Sequence, residues 1–507
     1  MNTFMNSLQN VTNYGYTENG ALKHITTNSA VYDMFAFGAA YRSRSDTDCI
    51  LLFKKAFEEN AELALKCLFW IRDCRGGAGE RRFFRVCIKW LAIEHPEVVK
   101  RNLIFIPEMG RWDDLYELID TPLENDFFNM IKTQLEKDME DIMTGKPNIG
   151  ISLVGKWLKS ENSSSQETKK LAKRTREALG LTARTYRKTL SKLREHIKIL
   201  ERLMSANRWD EIDFSKIPSK AGLVYRNAFA RRDIIAEKYR AFAKSKITKV
   251  NAGALYPYEV VNKAMNASHL PLDNTNRLMI NKYWENLPDY LEGRDCSMMC
   301  VVDTSGSMVG TPMNVAISLG MYCAERLNGP FKNHYISFAS RPQLIDIQGV
   351  DFVDKVYRIY KTNLCDNTNL EAVFDLLLFI ACKFNVKKED IPKTIVIISD
   401  MEIDISTARR FAFLRGRDNS AYSQWTKETT ATEMEKIRQY WAKFGLKLPR
   451  LIYWNVNARN DTILDAGPNV SFVSGMSPTL FKQILTGKTG WDLCLETICA
   501  DRYKGIK

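Results

Sequence analysis

Apolar residues recur at helical spacing from Asp48 onward. Leu51, Leu52 and Ala56 are followed by Leu63, Leu65, Cys67 and Leu68, and the run closes at Trp70-Ile71. The segment Arg72-Asp73-Cys74-Arg75-Gly76-Gly77-Ala78-Gly79-Glu80-Arg81-Arg82 interrupts the pattern, which resumes over Phe83 to Ala92. Further helical hairpins are predicted over Pro96 to Ile106, from Gly110 onward, and over Leu123 to Met143. Pro, Gly or Asn punctuates this region roughly every 20 residues, which predicts an α-helical repeat array of HEAT type. Past residue 292 the period changes. Mostly apolar runs at Met298 to Val302, Asn333 to Phe338, Thr394 to Ser399, Arg450 to Trp454 and Asn469 to Val473 read as buried strands. They alternate with helical stretches at Asn314 to Leu327, Leu370 to Phe384 and Thr430 to Phe444. The expected fold is therefore an all-α region over residues 1–292, then a doubly wound parallel α/β domain over residues 293–507, divided near Gly293. Met1 to Ser45 is polar and reads as irregular.

Charge adds a location. The chain carries a net charge of +13, yet Ile151 to Val250 alone holds 25 Lys and Arg against 10 Asp and Glu, a surplus of 15. The remainder is thus close to neutral, and one basic block in a neutral protein is the footprint expected of nucleic-acid binding. Within the block, Lys169 to Leu179, a Gly180-Leu181-Thr182 turn and Ala183 to Leu203 have the outline of a helix-turn-helix, with Tyr186, Leu190, Leu193 and Ile197 facing inward. Candidate phosphate contacts are Lys156, Arg184, Arg187, Lys188, Lys192, Arg194, Lys220, Arg226, Arg231 and Arg232. Trp157, Tyr186 and Tyr225 are candidate stacking platforms for bases. The Arg72 to Arg82 segment is expected to turn a helix–helix corner in which Arg72, Asp73 and Arg75 pair internally; a glycine-rich loop approaching phosphate is the other reading.

The chemistry of the α/β region gathers at strand ends. The strand ending at Asp303 is followed by Ser305 and Ser307, Thr368 precedes a helix, and the strand over Thr394 to Ser399 ends at Asp400. Carboxylates and hydroxyls without His or thiolate suit a hard cation, Mg²⁺ before Zn²⁺. The carboxylates Asp303, Asp400 and Asp404 would also suit a metal-dependent hydrolase, but none of the five histidines sits where it would serve as a base. Eleven cysteines lie scattered without a Cys-x-x-Cys pair, the usage expected of a reduced, cytoplasmic protein. No signal peptide is evident at the start, and no apolar run reaches the roughly 18 residues of a membrane helix.

The order Asp303-x-Ser305-x-Ser307, Thr368, Asp400 resembles the metal-ion-dependent adhesion site of von Willebrand factor A domains. Across nearly its whole length the chain resembles an uncharacterised family that joins a TROVE-like helical region to such a domain. The resemblance rests on Arg72-Asp73-x-Arg75-Gly76-Gly77, Gly180-Leu181-Thr182, Pro218-Ser219-Lys220-Ala221 and Asp303-Thr304-Ser305-Gly306-Ser307-Met308. Asn367-Thr368-Asn369, Ser399-Asp400-Met401-Glu402, Tyr453-Trp454-Asn455 and Ser474-Gly475-Met476-Ser477 complete it. The architecture is similar to that of the Ro autoantigen. This implies a non-enzymatic, monomeric ring that binds small noncoding or misfolded RNA in a basic channel. It also implies a Mg²⁺ site offering an open position to an acidic residue of a protein partner. A metal-dependent scaffold that binds no nucleic acid is the alternative.

Overall fold

A computed structural model describes residues 13–144, 150–291, 296–338, 342–362, 369–404, 432–465 and 467–507. From Asp46 to Glu285 the described chain is helical, and its helix starts follow from local residues. Ser45 caps the helix Asp46–Glu59 by accepting from the Asp48 N–H, while the Asp48 carboxylate takes the Ser45 N–H. Asn60, Ser165 and Thr182 cap Ala61–Arg72, Gln166–Ala178 and Ala183–His196 in the same way from one side. The single long helix expected over Ala183 to Leu203 is two. Lys198 adopts φ 47° and the Ile199 N–H folds back to the Arg194 carbonyl at 3.2 Å, so a second helix starts afresh at Leu200. Tyr186, Leu190 and Leu193 face the interior, as their spacing requires.

The described part of the first 45 residues, from Asn13 on, is not irregular. It forms a hairpin of strands β1 (Tyr14–Tyr16) and β2 (Leu22–His24), then the helix Ala30–Phe37. The partners that order them lie more than 400 residues away. His24 exchanges backbone hydrogen bonds with Ile463 at 2.8 and 3.0 Å, the Phe472 N–H donates to the Tyr32 hydroxyl at 2.9 Å, and Ser474 Oγ donates to the Phe35 carbonyl at 3.0 Å.

Six strands form the second layer: β3 (Met298–Asp303), β4 (His334–Phe338), β5 (Gln343–Asp346), β6 (Thr394–Ser399), β7 (Arg450–Asn455) and β8 (Val470–Ser474). Their order is β5-β4-β3-β6-β7-β8. All neighbours are parallel except β4 and β5, so the sheet is mixed where a purely parallel one was expected. The edge strand β5 is largely exposed and carries no apolar run, which is why periodicity passes over it. Succession reverses direction between β3 and β6: β4 and β5 are added on one flank, β7 and β8 on the other. The carboxyl ends of β3 and β6 therefore flank the switch point where open α/β sheets leave a crevice.

Several contacts tie the helical and α/β layers together. The hairpin and helix at residues 14–37 lie on β8 and the loop beside Ile463. Arg277 grips Asp351 with Nε at 2.7 Å and Nη2 at 2.8 Å, while Trp284 stacks on Phe352 at 4.2 Å between ring centroids. Near the end of the chain, Arg502 and the Tyr503 hydroxyl converge on the fully buried Asp73. Residues 292–295, around the proposed boundary, lie outside the described residues. Early and late helical segments also meet each other, because Tyr256 Oη donates to the Ala78 carbonyl at 3.3 Å. That approach needs the neighbouring Gly79: its φ is +71°, and a Cβ there would lie 1.9 Å from Tyr256 Oη.

Candidate nucleic-acid cavity and divalent-cation site

The helical region encloses an open cavity of about 1650 Å³, walled by residues between Arg42 and Glu259. Ten Lys and Arg side chains line it against five Asp and Glu, and five aromatic rings lie among them. Most of the acids are already spent. Arg42 Nε is 2.6 Å from Glu80, Lys220 Nζ is 2.6 Å from Glu259, and Arg82 pairs with Asp46. Arg75, Lys89, Arg111 and Lys156, by contrast, have no carboxylate partner among the described residues. The positive charge of the wall is therefore real excess rather than one half of a set of ion pairs.

One stretch of wall is built on two adjacent acids. Asp113 and Asp114, both buried, open the short helix Trp112–Leu118. Asp114 accepts from Arg72 Nε at 2.8 Å, Arg85 Nε at 2.7 Å and the Arg111 N–H at 2.9 Å. Burial alone would raise its pKa, but Arg72 and Arg85 hold the carboxylate below its ordinary value. Arg81 pairs with Asp113, and Arg85 Nη1 reaches Glu117 at 3.2 Å. Arg111 lies 4.7 Å over the Trp157 ring and Lys156 Nζ lies 5.4 Å from the same ring. Further along, Tyr256 and Tyr258 stack at 6.0 Å between centroids.

The candidate residues of the basic block fall into three places. Lys156 and Lys220 line the cavity, with Trp157 and Tyr225. Arg184, Arg187, Lys188, Lys192, Arg231 and Arg232 are exposed away from it, Arg187 beside a smaller cavity of about 310 Å³ and Arg232 over Trp209. Two of the set are internal. Arg194 donates to the carbonyls of Gly155 at 2.9 Å and Leu158 at 2.8 Å, and buried Arg226 donates to the Leu223 carbonyl at 2.7 Å. Tyr186 is withdrawn as a stacking platform: it is 1% exposed and its hydroxyl holds the Lys159 carbonyl at 2.8 Å. Helical spacing had already placed Tyr186 inward, and burial excludes a base.

The Arg72 to Arg82 segment is a corner, as expected, but the expected pairing among Arg72, Asp73 and Arg75 is not found: Arg72 pairs with Asp114, Asp73 with Arg502, and the Arg75 guanidinium donates to the Glu108 carbonyl at 2.8 Å. It also brings Arg75, Arg81 and Arg82 to the cavity wall. Sequence reasoning missed Arg81, Arg85, Lys89 and Arg111. The signal available was the density of arginine around the three glycines, which the corner reading treated as local pairing.

At the crevice, Asp303 and Asp400 end β3 and β6 and are fully buried. Asp303 accepts from the Ser305 N–H at 2.9 Å and from Ser399 Oγ at 2.5 Å. Burial, with the Asp400 charge behind it, pushes the Asp303 carboxyl up to about 7. Burial also raises Asp400, against the pull of the Glu402 N–H and the Arg459 guanidinium. Ser305 and Ser307 hydroxyls approach to 3.1 Å. Two carboxylates that disfavour each other's charge, beside two converging hydroxyls, make a donor set that fits a hard divalent cation. Thr368 lies outside the described residues. Arg459, which no motif pointed to, joins Asp400 at 3.0 Å to Glu18 at 2.8 Å. Asp404 pairs through its backbone with Gly20, and among the described residues no histidine lies in contact with these carboxylates.

Two domain families match segments of the chain. Residues 297–497 match a domain of unknown function, DUF7788, and residues 17–131 and 158–294 match another, DUF2828. An uncharacterized protein of Acanthamoeba polyphaga mimivirus is 30% identical over 514 aligned residues, covering 94% of this chain and 85% of that protein. Among solved structures, the Deinococcus radiodurans RO (RSR) protein aligns with 91% of this chain and all of its own, at 11% identity and a TM-score of 0.38.

Proposed function

The chain belongs to the same family as the mimiviral protein, and from that premise we propose that it is a non-enzymatic binder of single-stranded RNA, held in the helical cavity. The observation that carries this reading is the excess of cations on the cavity wall, four of them without carboxylate partners, interleaved with aromatic rings. Lys and Arg neutralise phosphates and release counterions, and rings accept bases of any sequence. An α-helical cavity that presents both together suits a strand rather than a duplex, whose bases are hidden. On this reading the helical region is a TROVE-like repeat of HEAT type and the α/β region a von Willebrand A domain. Small noncoding or misfolded RNA with a free single-stranded end is the expected ligand, bound by a monomer in the cytoplasm.

Binding is tested by fluorescence anisotropy with a labelled 12-nucleotide RNA. Affinity is expected to fall with a log–log salt slope of about −0.7 per phosphate neutralised. Absence of binding at low salt would leave the scaffold reading in its place.

Asp303, Ser305, Ser307, Thr368 and Asp400 would hold Mg²⁺, which supplies an electrophilic position for an acidic side chain of a partner protein. The chain's own residues set that position: the β3 and β6 ends place the carboxylates, and Ser399 and the Ser305 N–H orient Asp303. Millimolar Mg²⁺ is expected to raise the thermal midpoint of the parent protein and to leave that of Asp303→Asn unmoved. Equal shifts in both would remove the site. Hydrolase chemistry has less support, because among the described residues none in contact with Asp303 or Asp400 is a histidine placed to take a proton from water.

A further inference from the structure

The cations of the cavity wall are unevenly spread. Arg72, Arg81 and Arg85 share Asp113, Asp114 and Glu117, three charges against three. Arg111 and Lys156 come in addition, both fastened to Trp157 and neither paired with a carboxylate. The crowding is felt inside the cluster: burial first, then Arg85 and more weakly Arg111, work against the charge on Arg81. Two unneutralised cations gathered around one ring, with the Arg81 charge already opposed by its neighbours, carry an electrostatic cost that a bound anion would reduce.

From this geometry we infer that Arg111, Lys156 and the outer edge of Arg81 form a subsite for a terminal phosphomonoester at the end of a single-stranded nucleic acid. The inference rests on the cavity reading above and narrows it. An internal phosphodiester brings one charge and two free oxygens, which a single arginine fork satisfies. A terminal phosphomonoester brings about two charges and three oxygens, matching a fork and an ammonium together. The Trp157 ring is engaged by two cations already, so this part of the wall receives charge rather than a base. Bases have the Tyr256–Tyr258 pair and Tyr225 elsewhere on the wall. A strand threaded past those rings would end with its phosphate at Arg111 and Lys156.

The test compares 12-nucleotide RNAs of one sequence carrying a 5′-phosphate, a 3′-phosphate or hydroxyls at both ends, with the full-length parent protein and with Arg111→Gln and Lys156→Gln. Neither side chain has a carboxylate partner, so both variants are expected to fold, which an unchanged thermal midpoint checks. One of the phosphorylated ends is expected to bind at least about tenfold more tightly than the hydroxyl form, and either substitution should erase that advantage. Equal affinity for all three RNAs overturns the subsite while leaving the cavity reading standing. An end preference that survives both substitutions also overturns it, by placing the phosphate elsewhere. Failure of every RNA to bind overturns subsite and cavity reading together, and uridine 5′-monophosphate that raises the midpoint of the parent but not of Arg111→Gln would then identify a mononucleotide site. DNA of the same sequence, with the same ends, separates phosphate recognition from recognition of the ribose.

Discussion

Reversing two charges in the cavity, Arg111→Glu with Lys156→Glu, is expected to weaken RNA binding by about a hundredfold near 0.1 M salt and to flatten the salt slope by about 1.4. Both side chains face the cavity, both lack carboxylate partners, and neither carries a backbone hydrogen bond through its charged end, so the loss would report on the ligand rather than on the fold. The informative control is the exposed face of the helix Ala183–His196. Reversal of Arg187 and Lys188, outside the cavity, should change affinity by no more than about threefold, the scale of long-range charge screened by salt. If the outer pair rather than the cavity pair abolished binding, the outer surface of the basic block would be the nucleic-acid site and the cavity reading would fall.

The second large effect concerns stability. Asp114→Ala is expected to destabilise the protein by about 3–5 kcal/mol, because it strips a buried, multiply bonded carboxylate from guanidiniums that cannot leave. Arg72 is only 2% exposed on its side chain and would be left as an uncompensated buried charge. The direction of the pH effect follows from the same contacts. With the Asp114 pKa depressed in the folded state, its contribution is present above the ordinary carboxylate range and lost as pH falls below it. Acid should therefore weaken the parent more than Asp114→Ala as carboxylates protonate. Pairing the change with Arg72→Met, which removes both charges, should restore much of the loss. A thermal midpoint in Asp114→Ala equal to that of the parent would show that the cluster contributes nothing to the fold.

Much of the architecture was legible beforehand, for reasons that differ by element. β3 and β6 were readable to the residue or nearly so, since each is a short apolar run ending at a polar turn. Helix Leu370–Lys383 and the burial of Tyr186, Leu190 and Leu193 followed from periodicity alone. Strands β1, β2 and β5 were not readable. They are three or four residues long and pair as short hairpin arms, β1 with β2 and β5 with β4, with no apolar run or alternating face long enough to mark them.

The site divides along the same line. Asp303, Ser305, Ser307 and Asp400 are neighbours in motif and strand end, so local sequence placed all four near one crevice. The cavity is different. Its wall draws on Arg42, the Arg75 to Lys89 stretch, Arg111, Lys156, Lys220 and Tyr256, which no linear window contains. The density of Lys and Arg pointed instead to residues 151–250, where most of the charge turned outward or, as with Arg194 and Arg226, inward onto carbonyls.

By itself, then, the sequence determined what depends on neighbours along the chain: the change from helical period to strand alternation, the caps that start several helices, and the carboxylates and hydroxyls at two strand ends. The tertiary structure alone decided which cations remain unpaired and face a common space. That outcome depends on which acids, in segments far apart, arrive close enough to neutralise them, and Coulomb attraction falls off with distance in space, not with separation along the chain.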